Sequence, residues 1–175
     1  ALLVWLVALL AQPALAQTAP QLQFLEQRLA ALATENPGDY GMAALDLRTG
    51  EMVSFNGDRP FPMASTMKIA VAAAWLSEVD AGRRTLDETI AGVPASRLLD
   101  VMITRSDNRA TDLLMASLGG PAAIDRWLRS HRLAGIRVDR TIAQLLADRR
   151  DLRDLRDSST PVAMLGLLRL IDSGD

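Results

Sequence analysis

Ser65 and Lys68 stand three residues apart in the run Phe61-Pro62-Met63-Ala64-Ser65-Thr66-Met67-Lys68, directly ahead of an unbroken apolar stretch over residues 69–76. On a helix two residues at this spacing share a face one turn apart, so the amine lies within reach of the hydroxyl and could take its proton. A free lysine titrates near about 10.4 and is a poor base at neutral pH. Burial among apolar neighbours can lower that value by up to roughly 3–5 units, and the apolar stretch supplies such neighbours. The start of a helix also offers unpaired backbone N–H groups and a positive dipole end, both suited to a developing oxyanion. Lys68 is the only lysine among nineteen Lys and Arg residues. Arg serves wherever a plain positive charge suffices, and the one amine able to deprotonate follows a serine. The purely structural alternative makes Ser65 a helix cap and lets Lys68 snorkel to solvent.

These two residues require a helix that starts near Ser65 and runs towards Gly82. The solid apolar run predicts that it is covered on every side. Upstream, Leu22, Leu25, Leu29 and Leu32 recur at helical spacing, predicting an amphipathic helix over residues 22–33 that stops at Asn36-Pro37-Gly38. Residues 40–46 and 51–55 read as a β-hairpin with Gly50 at a turn position of positive φ, and Asn56-Gly57-Asp58 turns the chain towards Ser65. Downstream, residues 83–90 read as a polar linker, residues 98–104 and 110–118 as helices, and Pro121 as the first residue of another. Residues 139–159 form a long loop rich in Arg and Asp, before a final helix that begins at Pro161.

Ser106-Asp107-Asn108 forms a second polar cluster. All three types are favoured helix caps, and a helix follows. They also suit chemistry: a hydroxyl can relay a proton to a leaving nitrogen, and an Asn amide can hold a substrate amide or Lys68. His131 follows Arg129-Ser130 at a polar helix end, where capping the last carbonyls is the simpler role.

Composition narrows the field. The chain has 175 residues and a net charge of −2, with no basic block, which argues against nucleic acid as a partner. Length suits one domain, or one domain of two lobes. The chain contains no cysteine and a single histidine, so a thiolate nucleophile, a disulfide and a zinc site are excluded or disfavoured. Residues 1–16 carry a short apolar core ending Ala14-Leu15-Ala16, which predicts an incomplete export signal cleaved after Ala16 and too short to span a bilayer. The mature protein is then expected in a periplasm without a stable membrane span.

Ser65-Thr66-Met67-Lys68 followed by Ser106-Asp107-Asn108 resembles the first two motifs of class A β-lactamases and the related penicillin-binding proteins. Phe61-Pro62-Met63, Asp80-Ala81-Gly82, Leu118-Gly119-Gly120-Pro121 and the segment from Ser159-Thr160-Pro161 are similar to that family in kind and order. The resemblance implies an α+β fold of the serine β-lactamase/transpeptidase type, with an antiparallel sheet flanked by helices and an all-helical lobe. Residues 17–60 would belong to the α/β lobe, and residues 61–175 to a helical lobe with the nucleophile helix and an omega-like loop. The implied roles are Ser65 as acylated nucleophile, Lys68 as base or relay, Ser106 as proton donor to the leaving nitrogen and Asn108 as substrate contact. The Ser65 backbone N–H would join the oxyanion hole. The implied partner is a small β-lactam or a cell-wall peptide, bound by a monomer without metal or organic cofactor.

Three departures shape the functional expectation. The third motif, Lys-Thr/Ser-Gly on a late strand, is absent, which reads as a partial sequence lacking the C-terminal strands. The family's omega-loop Glu, which activates the deacylating water, is replaced by Ile142 when counted from Asp139-Arg140, or by Gln144 when counted back from Asp157. Leu146 falls where an Asn is usual, and Asp148 or Asp151 could substitute only in a differently folded loop. A β-lactam hydrolase and a penicillin-binding sensor or DD-peptidase-like protein that deacylates poorly are therefore the two readings.

Overall fold

The computed structural model describes residues 20–148 and 151–174, so the expected export signal lies outside the described residues. The first helix, α1, runs Pro20–Glu35 and lies along a two-stranded antiparallel hairpin, β1 (Met42–Leu45) and β2 (Met52–Phe55). Glu26 on α1 accepts a bond from the Ser54 backbone N–H at 3.2 Å. Gly50 takes φ +75° in the hairpin turn, as its position requires. The expected core-covering stripe of α1 is realised only in part: Leu22 and Leu29 are half-buried while Leu25 and Leu32 are exposed.

Gly57 marks a close approach. A Cβ there would come within 2.8 Å of both Ser54 and Val162, and its carbonyl accepts from the Val162 N–H at 3.0 Å. The hairpin is thereby tied to the last helix, α7 (Pro161–Ser173). α7 packs along β1, and its buried Leu167, with the partly buried Ala163, Met164 and Leu170, packs into the helical core.

The chain then enters a two-residue strand, β3 (Phe61–Pro62), and a 3-10 turn, Ala64–Thr66, before helix α2 (Met67–Asp80). Two short antiparallel strands, β4 (Thr89–Ile90) and β5 (Val93–Pro94), form at and just beyond the end of the expected linker. Helices α3 (Ala95–Thr104), α4 (Asn108–Ser117) and α5 (Pro121–Ser130) follow and pack against α2. Trp75 is fully buried at the centre of this lobe with Met102, Leu114, Met115, Ile124 and Leu128, and its indole N–H donates to Ser117 Oγ at 3.1 Å. Satisfying that one polar atom lets the largest side chain enter the core at no hydrogen-bond cost.

The expectation that α2 is covered on every side is corrected. Leu76 is 40% exposed, and Ile69, Ala72 and Ala73 are only half-buried. An apolar run states that a helix avoids water, but the elements that cover it come from elsewhere in the chain. The loop over residues 139–159 also holds more structure than expected: a short helix, α6 (Ile142–Ala147), and a strand, β6 (Ser158–Ser159), which pairs antiparallel with β3. That pairing anchors the segment leading into Ser65, and Met63 N–H adds a bond to the Asp157 carbonyl at 3.0 Å. Among the described residues, no helix is long and apolar enough to cross a membrane.

Candidate active site

Ser65 sits in the 3-10 turn rather than inside α2, and its side chain is exposed. Lys68 lies in the first turn of α2 and is only 3% exposed. Its ammonium meets three acceptors: the Ser106 carbonyl at 2.7 Å, Ser106 Oγ at 2.8 Å and Asn108 Oδ1 at 2.7 Å. Three N–H donors for three acceptors leave no bond of the ammonium unused. Ser106 Oγ in turn donates to Ser65 Oγ at 3.0 Å. The amine is thus linked to the Ser65 hydroxyl through Ser106. Burial pulls the Lys68 pKa below the ordinary lysine value, an effect that the charges of Asp107 and Asp112 oppose.

The cluster at residues 106–108 divides its labour. Asp107 is the cap of α4, its carboxylate accepting from the Ala110 N–H at 2.7 Å. With the capping done by Asp107, the side chains of Ser106 and Asn108 on either side are free to meet Lys68. Ser106 takes a left-handed conformation, φ +53°, and so does Ala64, φ +47°, immediately before Ser65. For a residue with a Cβ this conformation costs roughly 1–2 kcal/mol, and here it falls at Ser106 itself and directly before Ser65. Sequence carries no signal for the strain at Ala64, because alanine does not favour that conformation.

A cavity of about 460 Å³ opens beside Ser65 and Asn108, with Ile142, Leu145, Leu146 and Leu152 contributing apolar wall. The two ways of counting into the loop are now separable. Ile142 is buried in this wall, whereas Gln144 turns its side chain back to accept from the Thr141 N–H at 2.9 Å, completing a capping box. Of the two positions, Ile142 lines the cavity that Ser65 also lines, and Gln144 does not. Asp148 does not stand in as a free base: it accepts from Arg140 Nη1 at 2.6 Å and lies 3.5 Å from Arg156. Asp151 lines the same cavity and accepts from the Arg153 N–H at 2.9 Å.

Two further groups organise the wall. Asp112, four residues after Asn108 on α4, accepts from the Ile142 and Ala143 N–H groups at 2.7 and 2.9 Å. It clamps α6 to the helix that carries Asn108, and the i, i+4 spacing was the available sequence signal. Arg140 is the second. Burial disfavours its charge, but hydrogen bonds to Asp148 and Asp157, the latter at 2.5 Å, raise its pKa above the usual arginine value. Asp154 is held down to about 2, chiefly by its bond from Arg156. His131 takes no part: its Nδ1 lies 2.8 Å from the Trp127 carbonyl at the end of α5. No group of three or more His, Cys, Asp or Glu placed to hold a metal ion occurs among the described residues.

An exposed serine is thus linked through a second hydroxyl to a buried lysine at the start of α2. The chain belongs to the beta-lactamase enzyme family, whose model matches residues 23–175, and the structures it resembles include class A beta-lactamases. An ancestral (GNCA) class A beta-lactamase matches with a TM-score of 0.80 and 37% identity over 86% of this chain and 65% of that one. A GNCA4 protein, described as the last common ancestor of Gram-negative bacteria beta-lactamase class A, gives 0.79 and 37% over 86% and 64%. A beta-lactamase from Streptosporangium roseum gives 0.79 and 26% over 87% and 64%. The chain therefore spans less than two thirds of the length of these relatives, 64–65%.

Proposed function

We propose that this protein opens β-lactam rings through an acyl-enzyme on Ser65 and releases the product slowly. The supporting observation is that the hydrogen-bonded series Lys68–Ser106–Ser65 is complete while the neighbouring cavity wall presents Ile142. Neutral Lys68 takes the Ser65 proton, directly or through Ser106. Ser65 Oγ then bonds to the lactam carbonyl carbon, and the Ser65 backbone N–H faces the developing oxyanion. As the C–N bond breaks, the nitrogen takes the Ser106 proton, and the Lys68 ammonium replaces it. Asn108 contacts the substrate amide. Hydrolysis of the ester needs a base for water, and an isoleucine has no proton acceptor. Loss of a general base costs roughly 10²–10⁴ in the step it serves.

A chromogenic cephalosporin with the full chain should give a burst of one product per protein, then a slow steady state. Ile142→Glu should speed the slow phase, and Gln144→Glu should not. Rapid linear turnover with no millisecond burst would sink this reading. The same geometry supports the acylating penicillin sensor or DD-peptidase-like alternative, which the steady-state rate and a cell-wall peptide substrate separate. Export to the periplasm with cleavage after Ala16 belongs to the proposal as well, and N-terminal sequencing of the mature protein tests it.

A further inference from the structure

We propose that Asn56-Gly57 is a site of spontaneous deamidation, shielded in the folded protein by the tie between the hairpin and α7, and that conversion of Asn56 loosens that tie. Each residue of the pair meets a structural demand. Asn56 takes φ +49°, a left-handed conformation that asparagine adopts more readily than most residues with a Cβ. Gly57 is buried where a Cβ would collide with Ser54 and Val162. Together they leave the Asn56 carboxamide beside a backbone nitrogen that no following Cβ screens, the arrangement least hindered towards cyclisation. The other two asparagines of the chain lack it. Asn36 precedes Pro37, which has no N–H to lose, and Asn108 precedes Arg109 and holds Lys68 through its amide oxygen.

The reaction consumes water and no other reagent. The Gly57 backbone nitrogen, having lost its proton to hydroxide, bonds to Asn56 Cγ; the Cγ–Nδ2 bond breaks, and the nitrogen takes a proton from water and leaves as ammonia. Water then opens the succinimide at either carbonyl, giving aspartate or isoaspartate. The fold opposes ring closure. Asn56 Nδ2 donates to the Tyr40 carbonyl at 2.8 Å, the Asn56 carbonyl accepts from the Arg59 N–H at 3.1 Å, and the Gly57 carbonyl accepts from the Val162 N–H at 3.0 Å. Swinging the carboxamide onto the Gly57 nitrogen breaks the first bond and moves a backbone pinned by the other two. Conversion therefore proceeds when this sparsely buried lobe opens locally. The product cannot remake the tie: aspartate sets an anionic acceptor against the Tyr40 carbonyl where Nδ2 had donated, and isoaspartate adds a backbone carbon beside the packed Gly57.

In the experiment, the full chain and a synthetic peptide of residues 52–60 are aged together at mildly alkaline pH, and peptide mapping follows aspartate and isoaspartate at each asparagine. Asn56 should convert first, at a rate roughly 3–1,000-fold below that of the peptide, as local rather than global opening requires. Val162→Ala, which removes methyl groups packed on Gly57, should speed conversion at least about threefold. Asn56→Asp makes one product directly; it should speed hydrogen exchange of the Val162 amide at least about tenfold and leave the amides of α4 unchanged. A full-chain rate within about threefold of the peptide's, or one unchanged by Val162→Ala, would overturn the shielding. A rate more than about 1,000-fold below the peptide's, or earlier conversion of Asn36 or Asn108, would overturn the site. Unchanged Val162 exchange in Asn56→Asp would overturn the effect on the tie.

Discussion

The helical lobe around α2 and the lobe formed by α1 with its hairpin differ sharply in how they hold together. In the first, Trp75, Met102, Leu114, Met115, Ile124 and Leu128 are all fully buried. In the second, Val53 is the one buried large hydrophobic residue before Phe61 among the described residues, and Phe24, Leu25, Leu32 and Met52 lie exposed. β1 has β2 as its only strand partner among the described residues. The residues proposed for chemistry follow that difference. Lys68, Ser106 and Asn108 all rest on the densely packed lobe, and Ser65 reaches it through a single turn. A catalytic geometry must be held within fractions of an ångström, and close-packed interiors supply that stiffness where a half-covered hairpin does not.

The largest test of this comparison is at the base. Lys68→Arg keeps a cation on the rigid lobe but removes the titratable amine, so acylation of Ser65 should fall by about 10²–10⁴ while the melting temperature changes little. In the unaltered protein, acylation should accelerate as pH rises through the lowered Lys68 value, because only the neutral amine accepts a proton. It should level off below the ordinary lysine value of 10.5. A limb that persists in the Arg variant would assign it to another group.

Next comes the core. Trp75→Ala should cost about 3–5 kcal/mol in denaturant unfolding and disorder the Lys68 contacts with it. A smaller loss is expected in the other lobe, where Val53→Ala should cost about 1–2 kcal/mol and leave Ser65 acylation near its original rate. Equal losses at the two sites would erase the contrast. The smallest effect should be at the exposed Arg59–Asp39 ion pair, 2.9 Å apart, where Arg59→Ala should change stability by less than about 1 kcal/mol. Amide hydrogen exchange should rank the regions the same way, with α2 and α4 protected longest.

The elements themselves were largely readable. Gly50 at positive φ, the stop after Asp80, Pro121 at a helix start and the hairpin all follow from local backbone preference, which needs only neighbouring residues. The small strands β3 and β6 were not readable, because each is two residues long and exists only as the partner of the other across almost one hundred positions. Nor was α6, whose six residues were hidden in a loop dense with Arg and Asp.

At the site, sequence alone singled out Ser65, Lys68, Ser106 and Asn108, since a serine three before the only lysine and a Ser-Asp-Asn cluster are statements about residue type and spacing. Sequence also recorded that the omega-like loop lacks its glutamate. Which residue stands in that place was a matter of tertiary structure. Two counts through the loop gave Ile142 or Gln144; the capping box at Thr141 turns the Gln144 side chain back, while Ile142, its N–H held by Asp112, is buried in the wall of the cavity that Ser65 also lines. Likewise, the spacing of Ser65 and Lys68 suggested direct contact, while the fold routes the connection through Ser106, held at positive φ from 38 residues further on. Local pattern determines which side chains are present on a face; long-range packing and hydrogen bonds, which no short window contains, decide which of them meet.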